Sequence, residues 1–299
     1  MLRFLHVNII NRLFEIELKM LFWTLQRVLA CYSLLIYSMI FVAIDYDAAI
    51  ELVSKPLPWI LIILQIARHS ALGMTLGFHR YYSHAAYKAS RAYEFFIAYS
   101  CSASNQAAMS WWAGTHRYHH VHCDDEKDPH SPVSRSFLYA WLGWGYDPRH
   151  ANITIKLRYP ETRWLDKWCF VIPWMEWALI WLASGSLAFA TIVSLIPAGL
   201  SPIGTLFFNC MSHGGDADDK GCTARQYNML SAFLLGEHDH LDHHIYPTKA
   251  KRPGPDLPYW LILWPMAKLG FIWDLKNDHT DRRRGPPTED HPVSGGIDR

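Results

Sequence analysis

In the stretch THRYHHVHCDDEKDPHSP, Thr115 to Pro132, three imidazoles stand at i, i+3 and i+4: His116, His119 and His120. On a helix that spacing puts them on one face, where neutral ring nitrogens converge on a metal as scattered histidines do not. A single triplet of this kind is ordinarily a polar helix with surface histidines. Here the pattern recurs, since His240, His243 and His244 in HDHLDHH repeat it and His79 and His84 in HRYYSH form an HxxxxH pair. Asn209 and His213, an i, i+4 pair, close an apolar run. Nine histidines suit two metals at four or five ligands each, because one metal with four to six ligands leaves several unexplained. Imidazole suits zinc, copper, nickel and iron alike, so ligand type does not choose among them.

Ligands so spread along the chain need rigid elements to gather them, and the composition points to a membrane. The chain has 14 Trp, 15 Tyr and 14 Phe beside 51% apolar residues, as expected of a lipid-facing surface with aromatic belts. A net charge of +1 gives no sign of nucleic-acid binding. Cys31, Cys101, Cys123, Cys169, Cys210 and Cys222 form no CxxC, so neither a zinc ribbon nor a disulfide framework is indicated and they read as mostly reduced structural thiols.

Residues 1–19 place Leu2, Leu5, Ile9, Leu13 and Ile16 at helical spacing among charged residues, which predicts an interfacial amphipathic helix rather than a cleaved leader. Apolar runs predict spans over about 24–44, 57–78, 168–184 and 187–211. Pro197, Gly199, Pro202 and Gly204 predict that the last is kinked or locally unwound. A crossing by Arg91 to Trp112 would separate His79 and His84 from His116, His119 and His120, so that segment reads as interfacial or re-entrant helices. The expected class is an all-α integral membrane protein of one domain, 1–276. Four transmembrane helices carry a cytosolic helical cap, 79–167 and 212–276, that holds the histidine-rich dimetal site. The polar, Pro/Gly-rich tail 277–299 is expected to be disordered. Two hairpins put both termini and every histidine motif on one side, which the distribution of Lys and Arg assigns to the cytosol; endoplasmic reticulum and bacterial inner membrane both fit. Arg68, deep in the second span, needs a partner, and Glu176 at similar depth in the third is the predicted one.

In order and spacing these motifs resemble the membrane-bound acyl desaturases of the stearoyl-CoA (acyl-CoA delta-9) type. HRYYSH looks like the first histidine box of that family, HRYHH followed by DPHSP like the second, and GEHDHLDHH, Gly236 to His244, like the third. NCMSH, Asn209 to His213, is similar to its extra histidine and water-holding asparagine, and the closing LGFIWDLK also matches. The resemblance covers roughly Pro58 to Lys276. It implies a non-haem di-iron centre that uses dioxygen and two electrons to remove two hydrogens from adjacent methylenes of a long-chain fatty acyl substrate. The implied ligands are His79, His84, His116, His119, His120, His213, His240, His243 and His244, with Asn209 acting through a water. Glu237, Asp124, Asp128 and His130 are candidates for orienting ligand imidazoles. Ala67, Ala71, Trp111 and Trp112 are candidate walls of an apolar substrate tunnel. No reductase or haem domain is fused, so a separate cytochrome b-type or ferredoxin-type donor with its reductase is implied.

There are departures from the family pattern. Gly114 and Thr115 stand where animal members carry an Arg-Asp pair, which leaves the acyl carrier open. His238 and Asp239 replace the usual Gly and aromatic residue; the HxxHH triplet is complete without His238, which reads as a neighbour of the site. A di-iron lipid hydroxylase, or a desaturase acting on sphingoid or glycerolipid-linked chains, is the alternative among enzymes. A histidine-rich transporter would carry its ligands along a pathway within the membrane, whereas these cluster at span ends and in loops.

Overall fold

The computed structural model describes residues 2–226 and 235–277, with backbone alone for 2–16 and for residue 31. The expected apolar stripe of the first helix, the state of Cys31 and the tail beyond 277 lie outside the described residues.

Helix α1 runs unbroken over Leu2–Ile44, a stretch with no Gly or Pro to stop it, so no turn sets an interfacial segment apart from the first expected span. After the short α2 (Tyr46–Val53), α3 (Pro56–Ala67) begins with Pro at its first position, where the missing N–H costs nothing. It continues as a π-helical stretch, Arg68–Ser83, that ends at the first histidine motif. Helices α4 (Arg91–Ala103) and α5 (Met109–His122) are separated by a break, so the ambiguous segment is two helices and not one span. Helix α4 lies against the π-helical stretch almost backbone to backbone. A Cβ on Gly73 would sit 2.8 Å from the Ser100 carbonyl oxygen, and one on Gly77 only 2.3 Å from Cys101 Sγ.

Helix α6 (Pro160–Lys167) leads to α7 (Ile172–Ser184), which stops at Gly185 in the left-handed conformation (φ 68°). The return leg is α8 (Leu187–Ala190), a π-helical turn over Thr191–Leu195, and α9 (Ile196–Met211). The irregularity expected there is therefore a π-helical turn just ahead of Pro197, not an unwound segment. The third histidine motif forms α10 (His240–Ile245), and α11 (Trp264–Lys268) follows a last π-helical turn. Strand β1 (Lys88–Ala89) pairs antiparallel with β2 (Ile272–Trp273), a small exception to the all-α expectation; two residues are too few to leave a period-two signal. That ladder ties the C-terminal segment to the end of the first histidine motif, with Lys276 N–H donating to the Ala86 carbonyl.

The protein is thus mostly helical, and among the described residues three helices are long and apolar enough to cross a membrane: Glu17–Ile44, Pro56–Ser83 and Leu187–Met211. Leu21, Leu29, Ile63 and Leu64 are exposed on the first two, as side chains facing lipid would be. The other expected span, in α7, has 13 residues, about 20 Å against a hydrocarbon core of about 30 Å.

The predicted charge pair is present. Arg68 Nη1 and Nη2 donate to Glu176 Oε1 and Oε2 at 2.5 and 2.7 Å, and Tyr99 on α4 adds its hydroxyl to Oε1 at 2.6 Å. One carboxylate thus joins the π-helical stretch at Arg68, α4 and α7. Glu176→Ala strands the guanidinium and should cost about 3–5 kcal/mol; a thermal melt in detergent checks this, and an unchanged midpoint contradicts it.

Candidate metal centre

The first motif is brought into register by its unusual helix. In an α-helix residues five apart lie about 140° apart around the axis, which would turn His79 and His84 away from each other. In the π-helical stretch the bonds run i to i+5, His84 N–H donates to the His79 carbonyl at 3.1 Å, and the two rings come to 5.1 Å. Helix α5 presents His116 and His120 on one side and His119 on the next, while α10 presents His243 one way and His240 and His244 the other.

Nine imidazoles meet in two groups. His79, His84, His116, His120 and His243 offer ring nitrogens that all lie within 4.8 Å of one another. Neighbouring Nε2 atoms are 2.8 Å apart for His79 and His243, 2.7 Å for His120 and His243, 3.1 Å for His116 and His120, and 3.0 Å for His84 and His116. Two such nitrogens share at most one proton, so five cannot satisfy one another by hydrogen bonds. A metal–nitrogen bond of about 2.0–2.1 Å sets adjacent ligands about 2.9 Å apart at right angles, which is the spacing present. In the second group His213 and His240 face each other Nε2 to Nε2 at 3.0 Å, and His240 and His244 at 3.2 Å. His119 stands beside His213 and His244, with its buried Nε2 lacking any hydrogen-bond partner. The donor sets fit a bound metal cofactor.

Behind these nitrogens the rings are held by carboxylates. Asp128 accepts from His119 Nδ1 at 2.8 Å, Asp124 from His213 Nδ1 at 3.0 Å, and Glu237 from His79 Nδ1 at 2.8 Å. Such bonds fix Nδ1 as the protonated nitrogen and leave Nε2 free to bind. Burial alone would raise Asp124 and Asp128, but hydrogen bonds and the field of the imidazoles outweigh it and hold both well below the usual carboxylate range. Asp124 adopts φ +61°, which a short polar side chain tolerates, and so turns back to collect Thr223 N–H and Oγ1 at 2.8 and 2.7 Å. Asn209 donates its amide to His130 Nδ1 at 2.9 Å rather than facing a cluster nitrogen. Burial pushes His130 down to about 3, and its ring packs on those of His119 and Trp144. His238 turns away to donate Nε2–H to the Pro253 carbonyl.

The sequence reading missed the arginines. Buried Arg80 makes two bonds to Asp256 and reaches the Ala250 and Gly236 carbonyls; Arg117 binds the Tyr82 and Ser83 carbonyls. Arg252 lies 2.8 Å from His243 Nδ1. The available signal was an arginine directly after a ligand histidine in both HR dipeptides, a charge that needs a partner once the histidine is buried. The reading of reduced structural thiols holds for buried Cys101, Cys169 and Cys210, which lie outside any disulfide, and is corrected for Cys123 and Cys222, which form one. The end of α5 and the loop after α9 converge on Asp124, a meeting that no local spacing reports.

A cavity of about 220 Å³ opens beside both groups, lined by His79, His116 and His240 together with Met74, Trp112, Trp144, Leu206 and Phe208. Of the candidate tunnel residues Trp112 lines it; Ala67, Ala71 and Trp111 do not. The π-helical stretch turns Ser70, Met74, Thr75 and His79 to the cavity, and Ala71 is not among them. Trp111 is engaged elsewhere, stacked on Trp144 at 5.1 Å, under the Arg27 guanidinium at 3.9 Å and donating to the His150 carbonyl.

Fold and site together define a helical membrane protein built around histidine clusters suited to metal, next to an apolar cavity. The fatty acid desaturase family model matches residues 54–270. Delta-9 acyl-lipid desaturase 2 of Arabidopsis thaliana is 32% identical over 230 residues, 71% of this chain and 73% of that protein. Stearoyl-CoA desaturase 5 of Bos taurus is 28% identical, with 69% and 68% covered, and (11Z)-hexadec-11-enoyl-CoA conjugase of Bombyx mori is 28% identical, with 70% and 69% covered. The chain belongs to the fatty acid desaturase family and is an oxidoreductase of that kind.

Two outcomes follow from this geometry. Asp128→Asn removes the charge behind His119 and should weaken metal retention about 10- to 100-fold, read by metal content after dialysis against a chelator. Burial, aided by neighbouring imidazoles, pushes His84, His116, His120, His240 and His244 well below the ordinary imidazole value near 6.5. Below that pH the unfolded chain takes up protons that the folded one refuses, so metal-free protein should lose stability as pH falls from about 6.5. Melting midpoints of metal-free protein between pH 8 and 5 check the sign.

Proposed function

We propose that this desaturase introduces a cis double bond at the delta-9 position of a long saturated acyl chain carried on CoA, with two irons held by the nine histidines. The supporting observation is that His79, His116 and His240, drawn from both nitrogen clusters, line one mainly apolar cavity. Bound there, the iron pair would use dioxygen and two electrons to remove two hydrogens from adjacent methylenes. An unactivated methylene offers no acid-base handle, so the protein's own contribution is position and exclusion of water. Met74, Trp112, Leu206 and Phe208 hold the chain beside the histidines, and Asp124, Asp128 and Glu237 keep the ligand rings turned toward it. Asn209 lies at the cavity wall, where it can hold a water toward the second cluster. An acyl-lipid substrate is a second reading, favoured by the 32% identical plant relative and by Gly114 and Thr115 in place of a charged pair.

The proposed topology counts α7 as a short fourth span, paired with Leu187–Met211 through Gly185, and puts the cap and both termini in the cytosol. A separate cytochrome b-type or ferredoxin-type protein delivers the electrons.

Lipid mass spectrometry after expression in a desaturase-deficient host tests the reading. Chains of several lengths should gain a double bond at one distance from the carboxyl end, since a tunnel entered tail first measures from the head group. A constant distance from the methyl end, or hydroxylated products alone, overturns it. Metal analysis should return two irons per chain, and one in His119→Ala.

A further inference from the structure

The disulfide lies at the second nitrogen cluster and not in a remote loop. Cys123 ends α5, four residues after His119, and its Sγ is 4.0 Å from His213 Nδ1. Cys222 is buried, with Sγ 3.5 Å from His244 Nδ1. Next to it, Thr223 donates twice to Asp124, the carboxylate that holds His213. The bond thus closes a ring through Cys123, Asp124, Thr223 and Cys222 around the back of His213 and His244. The segment 216–221 before Cys222 is largely exposed.

We propose that Cys123 and Cys222 form a redox-modification site whose oxidised state clamps the second metal position and whose reduced state releases it. The proposal rests on the metal-centre reading above. Oxidation converts two S–H groups to one S–S bond, with two electrons and two protons passing to hydrogen peroxide to give two waters. A protein dithiol reverses it by exchange, becoming a disulfide itself. On the cytosolic side proposed for the cap, disulfides are typically transient and redox-sensing rather than structural.

The direction follows from the tautomer of His244. A disulfide sulfur has no proton to donate, so His244 keeps its own proton on Nδ1 and leaves the Nε2 lone pair for the metal. A free Cys222 thiol can donate S–H to His244 Nδ1, which favours a proton on Nε2 and competes with the metal there. Reduction also removes the covalent tie between the loop after α9 and the end of α5, leaving the hydrogen bonds of Asp124 to hold Thr223 and His213 there.

The test uses the full-length, iron-loaded protein in detergent. Peptide mapping after mild peroxide treatment should find a Cys123–Cys222 crosslink; free thiols at both positions overturn the site. Metal loss to an excess of chelator is then timed before and after reduction with a phosphine. Reduction should speed the loss of one of the two metals about 10- to 100-fold, the range for groups behind a ligand histidine. Cys222→Ala should lose it at one rate with or without the phosphine, which separates reduction of the disulfide from reduction of the metal. Cys222→Ser, whose hydroxyl can donate to His244, should lose it faster than Cys222→Ala. Equal loss from oxidised and reduced protein overturns the clamp while leaving the desaturase reading intact. Oxidised, crosslinked protein that holds no metal overturns the metal-centre reading and the clamp with it.

Discussion

Unprotonated imidazole nitrogens turned toward one another at hydrogen-bond distance are a demanding arrangement, because each contributes a lone pair and none a proton. Burial makes the demand stricter, since protonating rings removed from water is penalised. Much of the surrounding structure serves to keep those nitrogens in place. The carboxylates behind His79, His119 and His213 set the tautomer, and the π-helical turn brings His79 and His84 together.

The same constraint explains why so much buried charge lies outside the nitrogen clusters. Arg80 with Asp256 joins the first motif to the segment after the third, and Arg117 joins the second to the first. Replacement of buried ion pairs by hydrophobic residues often preserves stability, but here it would remove the directional bonds that fix one motif relative to another. Farther along the helices the fixing is done by close approach. Gly73 and Gly77 let α4 come near enough for Tyr99 to join the Arg68–Glu176 pair. A position in the nitrogen clusters and one deep in the helices are therefore carried by the same rigid element, Pro56–Ser83.

The cavity follows from this placement. Most of its walls come from the π-helical stretch, α5 and α9, each of which also carries or leads into a ligand histidine. A chain lying in it meets residues of the two clusters as well as aromatic and aliphatic side chains.

What the sequence by itself determined is what local spacing can encode. HxxHH on a helix fixes three rings near one face, long apolar runs fix membrane-crossing helices, and an arginine inside such a run demands a carboxylate at matching depth, which singled out Glu176. Tertiary structure decided what depends on the approach of distant segments or on departures from α-helical geometry. His79 and His84 share a face only because their helix is π-helical there, which no residue spacing announces. The division of HxxHH rings between two clusters, the turning of Trp111 onto Trp144, the arginine ties and the Cys123–Cys222 bond all depend on which segments meet. A sequence lists the groups that must be satisfied; partners drawn from far along the chain are chosen by packing, because only folding sets the distances over which hydrogen bonds and covalent sulfur act.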